Sequence, residues 1–276
     1  MLLEGKRAFV VGVANKRSIA WGIARALRAH GARIGFSCLE KHLNRVRRLA
    51  GEVDSDIITT CNVRSDEDIA RAVDEVAARF GGAIDILVHS IAFADMADLG
   101  GEFLRVTRAG WNLALEISAY SLVALTRCAR PFLQAAGGGS VIALTFIGGR
   151  AVAPGYNVMG VAKAALDAGV RYLAYDLGPD RIRVNAISAG PIRTLSSLAV
   201  ENFDSALELT KKHAPLLRAV TLEDLGSSAV FLASDLSAGV TGTILDVDAG
   251  IHSEAPASPP HRRSHATGET QANGAE

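Results

Sequence analysis

Short aliphatic runs alternate along this chain with longer stretches in which apolar residues return every three or four positions. The runs Arg7 to Val13, Arg33 to Cys38, Ile57 to Thr60, Ile84 to Ile91, Ser140 to Phe146, Arg183 to Ile187 and Thr243 to Val247 predict strands. Between the first two, Ile19, Ala20, Ile23, Ala24 and Leu27 share one helical stripe, with Ser18 placed to cap its start and Gly31 to end it. Strand and helix keep alternating from there. The pattern predicts an α/β fold: one Rossmann-like, doubly wound parallel sheet of about seven strands, with right-handed crossovers and helices on both faces. In such sheets ligands sit at the carboxyl ends of the strands.

Composition narrows the picture. With 49% hydrophobic but only 5% aromatic residues among 276, and 27 glycines, the chain suits buried parallel strands and excludes disorder, collagen and coiled coil. The 29 basic and 29 acidic residues balance, which argues against nucleic acid or an anionic membrane surface as partner. Cys38, Cys61 and Cys128 lack both metal-ligand spacing and the density of a disulfide framework, so the default setting is reducing and cytoplasmic, and no metal is expected. The longest uncharged run, Pro131 to Gly149, holds Gln134, Ser140 and five glycines and makes a poor membrane helix. Lys6-Arg7 followed by Ala8 to Ala14 imitates a signal peptide but is too short and wrongly flanked, and reads as a first buried strand. Composition shifts near residue 253. Residues 1–252 read as one domain, and 253–276, rich in proline and small polar residues, as a disordered polar tail whose Arg262-Arg263 pair is solvated.

The first strand runs into Gly12-Val13-Ala14-Asn15-Lys16-Arg17-Ser18-Ile19-Ala20, a turn feeding a helix amino terminus that can hold a pyrophosphate. It is not a G-x-G-x-x-G, and by itself a structural turn accounts for it as well. At the tip of the second strand Glu40 suits the ribose diol of NADH, while Lys41 tempers that preference over NADPH. Asn62, after the third strand, can hydrogen-bond an adenine, and the small residues around Ser90 and Ala92 let the backbone approach a cofactor. Tyr156 and Lys163 stand seven residues apart, nearly two helical turns, so both return to one face. A nearby ammonium is expected to favour the phenolate and make the phenol a better proton donor. Taken alone, the pair reads first as a packed aromatic and a solvated lysine. The strand Arg183 to Ile187, leading to Gly190-Pro191-Ile192-Arg193-Thr194, has the composition of a loop that closes over a cofactor.

Over residues 2 to 250 the chain resembles the NADH-dependent enoyl-acyl carrier protein reductases of bacterial type II fatty acid synthesis, a divergent branch of the short-chain dehydrogenase/reductases. The resemblance rests on Gly12 through Ala20, His89-Ser90-Ile91, Ile117-Ser118-x-Tyr120-Ser121, Tyr156-Asn157-Val158-Met159-Gly160-x-Ala162-Lys163 and Ile187 through Leu195. Ordinary members of the wider family use Tyr-x3-Lys with a serine thirteen residues before the tyrosine. Here Ala143 holds that place and the lysine is seven residues on.

The resemblance implies hydride transfer from NADH to C3 of a trans-2-enoyl thioester, an enolate stabilised by the Tyr156 hydroxyl, and protonation at C2. It implies that Lys163 holds the nicotinamide ribose. It assigns Gly12, Ser18 and Ile19 to the pyrophosphate, Leu39, Asn62 and Val63 to the adenosine, and Ser90, Ile91, Ala92 and Thr145 to the path between. Ala189, Ile192 and Thr194 fall to the nicotinamide and pyrophosphate, and Phe93, Leu99, Phe146, Met159, Val200 and Phe203 to an acyl pocket. An enoyl substrate carried on acyl carrier protein or CoA, and a homotetramer joined through the helices flanking the fifth strand and through the last strand, also follow from it.

Four residues depart from the family pattern. Phe146 stands where a second tyrosine is common, Ala92 replaces a glycine, Leu39 a polar residue and Asn62 an aspartate. Phe146 and Ala92 keep open a paralogue acting on another unsaturated thioester or a carbonyl. A weakly catalytic NAD(H)-binding paralogue is a third reading, against which the retention of both Tyr156 and Lys163 counts.

Overall fold

The computed structural model describes residues 1–194 and 203–253, without the side chains of Phe203 and Ala206. Seven strands, β1 (Arg7–Val11), β2 (Arg33–Cys38), β3 (Ile57–Thr60), β4 (Ile86–His89), β5 (Gly139–Thr145), β6 (Ile182–Ala189) and β7 (Ile244–Val247), form one parallel sheet in the order β3-β2-β1-β4-β5-β6-β7. The helices are α1 (Ile19–Ala29), α2 (Leu43–Gly51), α3 (Asp66–Arg79), α4 (Arg108–Leu115), α5 (Ser121–Ala135), α6 (Asn157–Leu177), α7 (Phe203–His213) and α8 (Leu222–Ala233). A π-helical turn, Glu116–Tyr120, joins α4 to α5.

Each strand divides its side chains between two cores. Ala8 and Val10 of β1, Ile86 and Val88 of β4, and Ile142 and Leu144 of β5 face the layer of α1, α2 and α8. Phe9 and Val11, Leu87, and Val141 and Ala143 face α3, α5 and α6. Both faces are therefore covered, and burying each large aliphatic or aromatic side chain contributes about 1.5–3 kcal/mol. Helix starts are capped as their sequences imply. Ser18 accepts from Trp21 N, Ser65 accepts from Asp68 N with three acids in the first turn of α3, and Thr221 with Asp224 forms a capping box on α8.

Strand ends moved where backbone geometry intervened. β1 stops at Val11 because Gly12 turns to φ +105°, which no strand accommodates. Ser253, grouped with the tail by composition, closes the last turn, its hydroxyl donating to Gly250 O at 2.8 Å. Residues 254–276 lie outside the described set. Cys38, Cys61 and Cys128 are free. Among the described residues no helix is long and apolar enough to cross a membrane.

Candidate active site

The sheet order reverses between β1 and β4, and their carboxyl ends open a crevice there. Gly12 sits at its floor. A Cβ at this position would lie 2.1 Å from the carbonyl oxygen of Ser90, so only glycine lets the two strand ends approach this closely. The turn beyond is held locally: Arg17 N donates to Asn15 Oδ1 at 2.7 Å, and the Ser18 hydroxyl donates to Asn15 O at 2.7 Å. Ile19 then opens α1, whose first turn carries no acid to oppose an anion. At the far end of the crevice, Leu39 is exposed at the tip of β2 and Glu40 opens a short turn. Asn62 is exposed, its main-chain N–H donating to Asp68 Oδ2 and its side-chain Oδ1 accepting from Arg64 N, while Val63 is buried.

The opposite wall is the head of α6. Tyr156 is the cap residue of this helix, and Phe146 meets it edge to face, ring centroids 4.9 Å apart. The turn Ile147–Gly149 packs against both: a Cβ on Gly148 would lie 2.7 Å from Cδ1 of Tyr156, and one on Gly149 3.0 Å from Ala164 N. Lys163 is only 4% exposed and its ammonium donates to Leu144 O at 2.7 Å. Burial lowers its pKa to about 8, with Asp167 pulling the other way. The tyrosine does not behave as its spacing from lysine suggested. Burial first, and then the Asp167 carboxylate, push the phenol above its ordinary range, and this outweighs any easing by the ammonium. Tyr156 is therefore a neutral hydroxyl donor at neutral pH.

Between these walls, Leu99 and Met159 are buried in one small cluster with Ala114, Val158 and Ala162, against which Tyr156 packs. Phe93 is half exposed, its loop pinned by Ser118, which accepts from Phe93 N at 3.0 Å and lies 3.6 Å from the Met159 sulfur. Ser118 belongs to the π turn, a distortion common beside functional sites. Ser90 and Ile91 are partly buried and Ala92 exposed, while Thr145 and Ala189 are buried at the ends of β5 and β6. Ile192 packs against the α1–α8 core, and Thr194 is partly buried. Phe203 opens α7, its side chain outside the described residues, as is all of Val200.

A family model described as enoyl-(acyl carrier protein) reductase matches residues 12–252. The chain belongs to the enoyl-(acyl carrier protein) reductase family. It is 49% identical over 253 residues to the enoyl-[acyl-carrier-protein] reductase [NADH] FabI of Bacillus subtilis, covering 91% of this chain and 97% of that one. The enzyme of the same name from Aquifex aeolicus is 44% identical over 252 residues, covering 91% and 93%. Among solved structures, the Bacillus cereus enoyl-acyl carrier protein reductase with NADP+ and indole naphthyridinone superposes with a TM-score of 0.89 at 47% identity, covering 92% of this chain and 99% of that one. The Anaplasma phagocytophilum enzyme in complex with NAD gives 0.88 at 41%, covering 92% and 96%.

Several features of this reductase site were not singled out from sequence. His89 is fully buried on β4, its Nε2 2.7 Å from Ser121 Oγ. Ser121 gives its own hydrogen to Ile117 O at 2.6 Å, so the imidazole donates through Nε2 and keeps Nδ1 bare. Burial, reinforced by Lys163, lowers its pKa to about 3. Asn157, at φ +27°, reaches across to Gly100 O and Gly101 O at 3.1 and 3.2 Å and ties the head of α6 to the loop after Phe93. Asp167 is the third. Its i+4 offset from Lys163 was a readable signal, whereas the Asn157 and His89 contacts join residues far apart in the chain. Asp246, Asp248 and His252 bring ligand atoms within 4.8 Å of one another. Asp248 is occupied by Gly250 N, His252 N and His252 Nδ1, and Asp246 by Arg150, so the cluster clamps the last turn.

Proposed function

We propose that this chain is an NADH-dependent enoyl-acyl carrier protein reductase that saturates the C2=C3 bond of a trans-2-enoyl thioester, the last step of a fatty acid elongation cycle. The observation that carries this reading is the Tyr156 phenol, kept protonated beside a buried apolar cluster and sharing a helix face with Lys163.

The crevice suits a dinucleotide: Gly12 leaves the space a Cβ would close, and α1 points an acid-free amino terminus at it. Gly12, Ser18 and Ile19 would hold the pyrophosphate, and Leu39, Asn62 and Val63 the adenosine. Ser90, Ile91, Ala92, Thr145, Ala189, Ile192 and Thr194 would line the nicotinamide half, with Lys163 on its ribose. The bound cofactor supplies the hydride for C3. Tyr156 donates its hydrogen bond to the thioester oxygen as charge collects there and, its pKa being high, keeps that hydrogen while the enolate takes up a proton from solvent at C2, which completes the saturation. Leu99 and Met159, with Phe93, Phe146, Val200 and Phe203, would receive the acyl chain and exclude water.

The carrier is read as acyl carrier protein, with CoA thioesters as the alternative, and the setting as cytoplasmic. A homotetramer is supported by Tyr172 and Tyr175, 75% and 83% exposed on α6, and by β7, whose outer edge has no strand beside it among the described residues. Light scattering on the purified protein tests that assembly. The reaction itself is tested by following nicotinamide oxidation with 2-enoyl-acyl carrier protein, 2-enoyl-CoA, a 3-ketoacyl thioester and a simple ketone. The enoyl-acyl carrier protein should be consumed fastest, and a ketone or ketoacyl thioester consumed as fast would establish the paralogue instead.

A further inference from the structure

We propose that Asp167 is a positioning residue for Lys163, a buried carboxylate one turn along α6 that keeps the ammonium charged and directed at the nicotinamide ribose. The inference rests on the reading of Lys163 as the ribose ligand.

Asp167 is 4% exposed, and both of its oxygens are shielded from solvent. It draws on the Thr145 hydroxyl beside it, yet neither carboxylate oxygen nor Thr145 Oγ1 completes a hydrogen bond of full geometry. A carboxylate in such a place costs several kcal/mol unless a cation answers it, and a packed aliphatic side chain would serve the helix better. Burial raises its pKa above the ordinary carboxylate value, and the cations that draw it back down are Lys163, Arg150 and Arg171. Arg150 is already engaged by Asp246 and the Ser188 hydroxyl of β6, and Arg171 is exposed. Lys163 is as buried as Asp167, stands at i−4 on the same helix face, and uses one of its three N–H groups on Leu144 O.

The other groups around the ammonium do not take over this role. His89 of β4 is neutral, Tyr156 at the head of α6 is protonated, and Arg150 after β5 is a like charge. Glu116 of the π turn pairs outward with Arg64. Asp167 is thus the anion that opposes the desolvation of Lys163. The same carboxylate adds to the burial that pushes the neighbouring phenol up.

The test is NADH binding to the intact protein, read by fluorescence titration between about pH 6 and pH 9.5. In the parent, affinity weakens through one ionisation near about pH 8 as Lys163 loses its proton. Asp167→Asn moves that step down by about one unit, so the loss relative to the parent grows about fivefold between pH 6 and pH 8 and approaches about tenfold by pH 9.5. Asp167→Glu restores the parent's step. In a Lys163→Arg background, where the guanidinium does not titrate, the step disappears and Asp167→Asn leaves the shape of the profile alone. A flat parent profile overturns the proposal, as does an Asp167→Asn protein weakened by the same factor at every pH. Should Asp167→Asn fail to fold, Asp167→Leu, which removes the buried charge and leaves no polar atom unpaired, is read by the same criteria. Absence of NADH binding by the parent at every pH would overturn the reading of the site instead.

Discussion

At the β1–β4 crossover the crevice is shaped by main chain, whereas at the head of α6 it is shaped by buried side chains. Gly12 admits the carbonyl of Ser90 where any Cβ would clash, and the turn after it is closed by bonds to backbone groups. Leu39 and Asn62, beside that end, are exposed. Around α6, the positions of Tyr156, Phe146, Lys163, Asp167 and His89 depend on one another through ring packing, charge and shared burial. A backbone-built wall tolerates varied side chains, because its geometry lies in φ/ψ and hydrogen bonds. A side-chain-built wall tunes proton affinities, and is correspondingly sensitive to pH and to single substitutions.

The largest effect is expected from Gly12→Ala. The added methyl meets the Ser90 carbonyl at 2.1 Å, at a backbone φ of +105°. NADH affinity should fall by about a hundredfold or more, with a stability loss of about 1–3 kcal/mol from backbone strain alone. Isothermal titration reads the first and urea unfolding the second, and near-normal binding would show that the backbone wall is not rigid.

Acid should act on the other wall. In the fold His89 stays neutral down to about pH 3, while in the unfolded chain it takes up a proton near its ordinary value of 6.5. Between those values the unfolded state binds more protons, so stability falls as pH drops from 6.5 towards 3. The slope is at most about 1.4 kcal/mol per pH unit. His89→Gln should flatten that part of the unfolding curve, whereas an unchanged slope would assign the acid sensitivity elsewhere.

The smallest effect is expected from Phe146→Tyr. The ring already packs edge to face on Tyr156, and Tyr156 carries the hydroxyl the reaction needs. The kcat/KM for the enoyl thioester should change by less than about threefold, while a gain of about ten- to a hundredfold would reveal a missing second proton donor.

The same contrast governs what could be read from the chain. The sheet was legible because burial on both faces leaves continuous aliphatic runs, and β2 and β3 carry the residues expected of them, Arg33–Cys38 and Ile57–Thr60. The start of α1 at Ser18 and of α6 after Tyr156 followed from capping and helical period. Ends of strands were less legible. β1 gives way at Gly12 to satisfy a contact with Ser90, nearly eighty positions away. The pKa shift of Tyr156 runs opposite to the one expected from its spacing to Lys163, because spacing reports that a cation is near and does not report how much water has been removed. The π turn at Glu116–Tyr120 and the clasp of Asn157 on Gly100 and Gly101 depend on tertiary packing that leaves no local pattern.

The central claim is that Tyr156 acts on the enoyl thioester as a protonated donor and is not needed to hold the cofactor. The direct measurement is a paired one on Tyr156→Phe: the NADH dissociation constant by fluorescence, and kcat/KM for 2-enoyl-acyl carrier protein from NADH oxidation. The account predicts an NADH affinity within about threefold of the parent and a kcat/KM lower by about 10²–10³-fold. Full turnover by Tyr156→Phe, or a loss of turnover matched by an equal loss of NADH affinity, would contradict it.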